Sequence, residues 1–334
     1  MTAMTERAPA TTARRSPQSR GLLLAMLRLH RTALYFWLGL VAVAGGALLW
    51  AIGPGADAAW AEYTDLGCGG PRPNLGCDSP GPANVRYQTA VAVGTGLLGL
   101  LPLLTGAWAG GALIGRELES GTARLAWTQS VSPARWLAAK LAVPALLLLA
   151  GTFTLTLLHR VLWSSNRSLI GAMGWRAWHD DGVFEVNGTI AAAQALAALA
   201  VGVLVGLLVR RTLPALGVAV LAVFSLSSLL DDLRPHLWPV ETVVTAPDTT
   251  PGSGGMIVED GALTATGARV TYPACTGEPA CDAEHGITHY YADHHPASHF
   301  WPLQLVETGI LLAVAALATG IAFAVLRRRT GTAV

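Results

Sequence analysis

The sequence predicts an all-α integral membrane protein with six transmembrane helices, and two observations support this class. Of its 334 residues, 52% are apolar and only 13% are charged. A soluble domain carries about 25% charged residues, so this composition indicates a chain that exposes much of its surface to lipid. The second observation is six apolar runs, each close to the roughly 20 residues that cross about 30 Å of hydrocarbon as a helix.

Each apolar run is expected to be a helix, because lipid offers no hydrogen-bond partner to an unpaired backbone group. The six predicted spans are 32–52, 90–114, 137–158, 190–209, 213–230 and 303–326. Only three residues separate the fourth span from the fifth, which predicts a tight antiparallel hairpin. The long loop before the last span, residues 231–302, has room for a small subdomain.

The distribution of basic residues predicts that both termini lie in the cytoplasm. The 22 basic residues are 21 Arg and the single lysine Lys140. With the N-terminus inside, the inner segments hold 15 of them: six before the first span, four between the second span and the start of the third (counting Lys140 at its inner end), two between the fourth and fifth, and three after the last. Short loops rich in Arg are typical of the cytoplasmic side. We therefore predict a multi-pass protein of the inner (cytoplasmic) cell membrane.

The segment before the first span divides into two parts. Residues 1–17 are rich in Pro, Thr, Ser and Arg, which predicts a disordered cytoplasmic tail. Residues 18–31 have a rough helical period, with Arg20, Arg28 and Arg31 on one side. One interpretation is an amphipathic helix that lies along the inner membrane surface with these arginines near lipid phosphates. The other is that the arginines only anchor the first span. The remaining residues, 32–334, form the predicted transmembrane domain.

All four cysteines fall in predicted outer loops. Cys68 and Cys77 lie in the first loop, and Cys275 and Cys281 lie in the last. Two closely spaced pairs in an oxidising compartment predict two local disulfides. The alternative is metal binding by the last pair and the histidines between 285 and 299, but no ligand spacing is repeated there, so we predict no metal site.

The loop between the second and third spans, residues 115–141, predicts a broken helical path. Gly121 suits the left-handed turn that ends the helix arriving from the second span, and Thr122 is suited to cap the next helix. Ser132 followed by Pro133 predicts a further helix start, with a hydroxyl cap and a proline in the first turn.

Between these signals, residues 123–129 have room for about two turns of helix. Leu125 and Trp127 are its apolar contacts. We expect a short amphipathic helix across the ends of two long ones. Such a helix can transmit a movement of a cytoplasmic partner to the transmembrane helices.

In this loop the sequence resembles the ABC-2 type permease family, the membrane subunits of many bacterial ABC exporters. Nine residues hold places of the family's pattern: Glu117, Glu119, Gly121, Thr122, Leu125, Thr128, Ser132, Arg135 and Lys140. The chain's single lysine stands at the family's lysine position, which makes the match more specific. One departure is that Thr128 is followed by Gln129 instead of proline, a variant that resembles actinobacterial permeases. The six spans, the basic N-terminal segment and the large outer loop also fit the family.

The resemblance implies a permease that forms a homodimer or pairs with a second permease, and that binds separate ATP-binding cassette subunits. Its coupling residues would be Glu117, Glu119, Gly121, Thr122, Leu125 and Trp127. ATP and Mg would be held by the partner subunit, and this chain would bind no cofactor. The alternative for this loop is purely structural: a helix cap at Gly121 and Thr122, with the basic residues serving only orientation.

Two further observations bear on function. No Gly-rich loop ends in Gly-Lys-Ser/Thr, because Lys140 lies between Ala139 and Leu141, so we predict that the chain is not an enzyme and that a partner hydrolyses ATP. Glu307 is the only acid in a predicted span; it has either a transport or gating role or an interfacial, helix-end role.

With few charges at membrane depth, the predicted cargo is a hydrophobic or amphipathic compound such as a drug, antibiotic or lipid. The expected partners include membrane lipid and exclude nucleic acid. A polytopic membrane enzyme and a non-transporting sensor or accessory protein are the alternative functions.

Overall fold

The structure, a computed structural model, describes residues 28, 30–68, 81–128, 131–173, 177–180, 182–246, 255–272 and 278–331. Six of the helices it describes are long and apolar enough to cross a membrane, as the sequence predicts. In chain order, and named the first to the sixth span, they are Arg31–Asp65, Pro82–Glu119, Pro133–Ser165, Ile190–Val209, Thr212–His236 and Ala297–Thr330. Each contains the corresponding predicted apolar run.

The first two spans are each interrupted by a π-helical turn. In the first, helix Arg31–Trp50 passes through the turn Ala51–Gly55, which contains Pro54, into helix Ala56–Asp65. The proline explains the turn, because it cannot donate the backbone hydrogen bond of a regular helix. In the second, helix Pro82–Trp108 passes through the turn Ala109–Gly115 into the single turn Arg116–Glu119.

The fourth span is the centre of the bundle. It packs against the second, third, fifth and sixth spans, while the first span packs on the second and third. In its most apolar window 67% of the residues are buried, against 17–44% in the other spans. Lipid tails are as apolar as the side chains, so the hydrophobic effect does not hold helices together in a bilayer. The packing around the fourth span must therefore depend on close van der Waals contact between the helices.

The close fit is provided by small residues on the second and fourth spans. Gly106 and Gly110 are four residues apart on one span, and Gly202 and Gly206 are four apart on the other. A Cβ added at Gly202 would lie 2.6 Å from the carbonyl oxygen of Gly106, and one at Gly206 would lie 2.8 Å from that of Gly110. The two backbones therefore touch, as is typical of paired GxxxG motifs.

The two ends of the bundle carry different structures. The loop end, defined by residues 116–128 and 131, also holds His30, the hairpin at Arg210 and Arg211, and the last turn of the sixth span. The sheet end holds short helices at Arg167–Met173, Val183–Val186 and Pro279–Glu284. It also holds a four-stranded antiparallel sheet.

The sheet lies between the fifth and sixth spans, where the sequence predicts a large loop. Its order is β1 (Glu241–Thr245), β4 (Ile287–His295), β2 (Met256–Thr264) and β3 (Arg269–Val270). The spans are all helical as predicted, but the all-α class does not include this sheet. The helical segments on either side also shorten the predicted loop 231–302, because helix continues to His236 and resumes at Ala297.

Candidate coupling site

The path of the chain between the second and third spans follows from three local signals. Gly121 has a φ of +77°, a left-handed conformation that favours glycine, and it ends the helix Arg116–Glu119. The next helix is Thr122–Thr128, called the loop helix below. The third span then starts at Pro133, where the Ser132 hydroxyl accepts a hydrogen bond from the backbone N–H of Arg135 at 3.4 Å.

Thr122 has a different role from the predicted one. Its hydroxyl is 3.0 Å from the Ser120 hydroxyl and donates to the carbonyl of Glu117 at 3.3 Å. It therefore satisfies an unpaired carbonyl at the end of the preceding helix, instead of capping the start of the loop helix.

Glu117 and Lys140 form a buried ion pair at the loop end. Lys140 has no exposed side-chain surface, and its ammonium contacts one carboxylate oxygen of Glu117. The other oxygen accepts from the indole N–H of Trp136 at 3.2 Å. Glu117 lies on the second span, whereas Trp136 and Lys140 lie on the third. The cluster therefore fixes these two spans to each other at the ends that the loop helix connects.

His30 joins this cluster from the start of the first span. Its Nε2 lies 3.0 Å from the ammonium of Lys140, and its ring meets Trp108 edge to face at 5.8 Å. Burial, and secondly the charge of Lys140, lower the pKa of His30 to about 4. The imidazole is therefore neutral at physiological pH and can accept the lysine's hydrogen bond.

Glu119 faces the fifth span. Its Oε2 accepts hydrogen bonds from the backbone N–H of Thr212 at 2.8 Å and from the hydroxyl of the same residue. Thr212 is the first residue of that span, so the carboxylate caps a helix N-terminus and lies at the positive end of its dipole. Both predicted coupling acids thus make contacts within the chain.

The loop helix has one face directed into the protein and one face away from it. Ala123 is buried, and the Trp127 ring packs edge to face on Trp136 at 5.7 Å. Leu125, by contrast, is 61% exposed. The indole nitrogen of Trp127 is buried and has no acceptor among the described residues. The two residues that the sequence groups as apolar contacts therefore lie on opposite faces.

The other predicted site residues lie beside this cluster, at the sheet end, or outside the described residues. Arg28 and Arg31 are exposed at the loop end, whereas Arg20 and most of the predicted interfacial helix lie outside the described residues. Cys68 and Cys281 are each disulfide-bonded. Cys77 and Cys275 lie outside the described residues, so the pairing stays a prediction.

Glu307 is at the sheet end, in a cluster that the sequence analysis did not foresee. It is fully buried and makes two hydrogen bonds to the Arg234 guanidinium, at 3.0 and 3.2 Å. Arg234 also pairs with Glu185 at 3.1 Å and Asp231 at 2.7 Å, and it lies 4.6 Å from the centre of the Phe184 ring. One arginine thus contacts three carboxylates, from the fifth span, the sixth span and the helix Val183–Val186.

Six helices that are long and apolar enough to cross a membrane define a polytopic membrane protein. A family model described as ABC-2 membrane transporter related matches residues 38–234. Because this match covers more than half of the chain, the chain belongs to that family, and it is a multi-pass membrane protein. No curated protein and no solved structure matches it. The family's membrane subunits generally pair with an ATP-binding cassette subunit.

Proposed function

We propose that this permease subunit exports a hydrophobic or amphipathic compound across the inner cell membrane, with ATP and Mg bound and hydrolysed by a separate ATP-binding cassette subunit. Two permease chains, identical or paralogous, and two ATP-binding subunits form the transporter. Both termini and the loop end lie in the cytoplasm, so the sheet lies outside. The single observation that carries the proposal is the loop helix, with one apolar residue exposed and its other face fixed to the spans.

The exposed face supplies the docking surface for the partner. Leu125 is surrounded on the helix by the exposed residues Arg124 and Thr128, so an apolar contact is flanked by polar groups that remain solvated before docking. Interfaces commonly have such an apolar centre with a polar rim. Glu117, Glu119, Gly121 and Thr122 contribute by fixing the position and direction of the helix.

The buried face supplies the mechanical connection. A displacement of the loop helix reaches the third span through Trp127 and Trp136, and reaches the second span through Glu117 and its ion pair with Lys140. Glu119 extends the connection to the fifth span at Thr212. Closure of the ATP-binding subunits would thus shift three spans together and move the protein between inward-open and outward-open states.

The docking step is tested with Leu125→Asp. The chain is purified from membranes that also contain its P-loop ATPase partner, and the amount of co-purified ATPase and its activity are measured. Loss of a central apolar contact and burial of a charge should weaken the complex at least about tenfold, the equivalent of roughly 1.4 kcal/mol. Val244→Asp is the matched control, because Val244 is 50% exposed on β1 at the sheet end.

A second variant separates docking from transmission. Trp127→Ala leaves Leu125 in place but removes the ring that packs on Trp136, so the ATPase should still bind while its stimulation by cargo falls. Docking at the loop helix is refuted if Leu125→Asp inserts normally and retains a fully active complex. A chain that binds no P-loop ATPase at all would favour the sensor or accessory alternative.

A further inference from the structure

A large cavity lies at the loop end, beside the cluster of Glu117 and Lys140. Its volume is about 1100 Å³, and it is bounded by the first, second and third spans and by the start of the fifth. Four aromatic side chains line it: Phe36, Trp37, Trp108 and Trp136. Most of the remaining wall is aliphatic. This volume is at the upper end of pockets that hold drug-sized molecules, about 300–1,000 Å³.

The cavity opens at the exposed sides of the first two spans. Phe36 is 62% exposed and Leu104 is 39% exposed, and both form part of its wall. These residues lie on exposed, apolar surfaces of the first two spans. A molecule in the leaflet can therefore enter sideways, and a space of this size between apolar walls in a bilayer will hold hydrocarbon in preference to water.

One end of the cavity is polar and carries an excess of positive charge. Its charged lining residues are Arg116, Glu117 and Lys140. Glu117 and Lys140 compensate each other, and the neighbouring imidazole of His30 is neutral. Arg116 is exposed, and the structure shows no ion pair for it within the described part of the chain. The net charge of this lining is therefore +1, on the side where arginine side chains meet lipid headgroups.

We propose that this cavity binds an anionic amphiphile drawn from the adjacent leaflet, with its acyl body against the aromatic wall and its phosphate or carboxylate headgroup at Arg116. Ser120 also lines the polar end, and its hydroxyl can turn away from Thr122 to donate a hydrogen bond to an anion. Ala126 of the loop helix is part of the same wall, so an occupant touches the element that we assign to the ATPase. The proposal concerns binding by this chain alone and does not depend on the ATP-binding partner.

The probe is phosphatidylglycerol, compared with phosphatidylcholine of the same acyl chains. The purified full chain in detergent is titrated with each lipid, and bound lipid is counted by native mass spectrometry. We expect phosphatidylglycerol to bind at least tenfold more tightly. Ala139→Trp fills the cavity and should abolish this binding, whereas Ala138→Trp, at the neighbouring exposed position that does not line the cavity, should not.

The charge of the site is tested separately, with substitutions at exposed positions that leave the packing intact. Arg116→Gln should reduce the preference for phosphatidylglycerol to less than threefold while apolar binding persists. Arg135→Gln, at an exposed position outside the cavity lining, should leave the preference unchanged. Equal binding of the two lipids by the unaltered chain, or equal effects of Arg116→Gln and Arg135→Gln, would overturn the proposal. Neither result bears on ATPase docking, which the Leu125 experiment tests.

Discussion

Replacement of Arg234 by methionine should be one of the most damaging single changes at the sheet end. Arg234 is 4% exposed and Glu307 is fully buried, and truncating one partner of such a pair costs about 3–5 kcal/mol because it leaves a buried charge uncompensated. Arg234→Met leaves two carboxylates, Glu307 and the largely buried Glu185, without their cationic partner. We therefore expect a loss near the upper end of that range.

The three carboxylates should not be equivalent. In Glu307→Gln the amide oxygen can still accept from Arg234, and the guanidinium keeps its other two partners, so the expected loss is about 1–3 kcal/mol. Asp231 is 43% exposed, and Asp231→Asn should cost less than about 1 kcal/mol. The double variant Arg234→Met/Glu307→Leu should recover part of the free energy of unfolding that Arg234→Met loses, since it removes the uncompensated carboxylate at position 307.

The measurement is equilibrium unfolding of each variant in mixed micelles, followed by tryptophan fluorescence. Cargo transport is measured in parallel on the variants that remain folded. If Arg234→Met and Asp231→Asn had equal free energies of unfolding, the argument from burial would be wrong. If Glu307→Gln kept its stability but lost transport, Glu307 would have the gating role that its position in the sequence allows.

Two further predictions concern packing and pH. Gly202→Ala places a Cβ 2.6 Å from a backbone carbonyl oxygen and should destabilise the chain by about 1–3 kcal/mol in the same unfolding assay. The control is Gly217→Ala, which has no atom within 4 Å and should be neutral or stabilising by up to about 1 kcal/mol. Equal effects of the two substitutions would exclude a tight contact between the second and fourth spans. His295 is buried, with Nε2 2.9 Å from the Pro235 carbonyl and Nδ1 3.0 Å from Nδ1 of His299. Burial, and then the neighbouring histidines His299, His294 and His236, lower the pKa of His295 in the folded protein below its ordinary value of 6.5. The free energy of unfolding therefore keeps its full value above about pH 6.5 and decreases as the pH falls from there through the lower pKa of the folded state. His295→Gln should flatten this acid loss in pH-dependent unfolding, while the exposed control His289→Gln should retain it; an unchanged profile in His295→Gln would contradict the assignment.

The six spans could be predicted because an apolar run long enough to cross a bilayer has one structural solution, the helix. The sheet could not, since its strands stand in a polar loop and do not alternate regularly between apolar and polar residues. The paired glycines of the second and fourth spans were a readable signal: the two glycines of each pair are four positions apart in an apolar run. That pattern would have predicted the contact at the centre of the bundle.

The loop helix was predicted from the sequence, but the faces on which its residues lie were not. Leu125 and Trp127 are two residues apart, or about 200° around a helix, so the sequence alone could have assigned them to opposite faces. The partner of Glu307 was harder to find. Arg234 lies four residues beyond the predicted end of the fifth span, and a count of charges on each side of the membrane treats it as a loop residue. Only the fold shows that it turns back into the protein.

The contact between the second and fourth spans limits how the protein can change shape. Main-chain atoms of the two helices meet there with no side chains between them. No side chain can therefore change its rotamer to let one helix slide or tilt against the other. These two helices must therefore move as one rigid unit in any transport cycle. A displacement that the loop helix passes to the second span therefore carries the fourth span with it, and spin labels placed across the glycine contact should report a constant distance in every state.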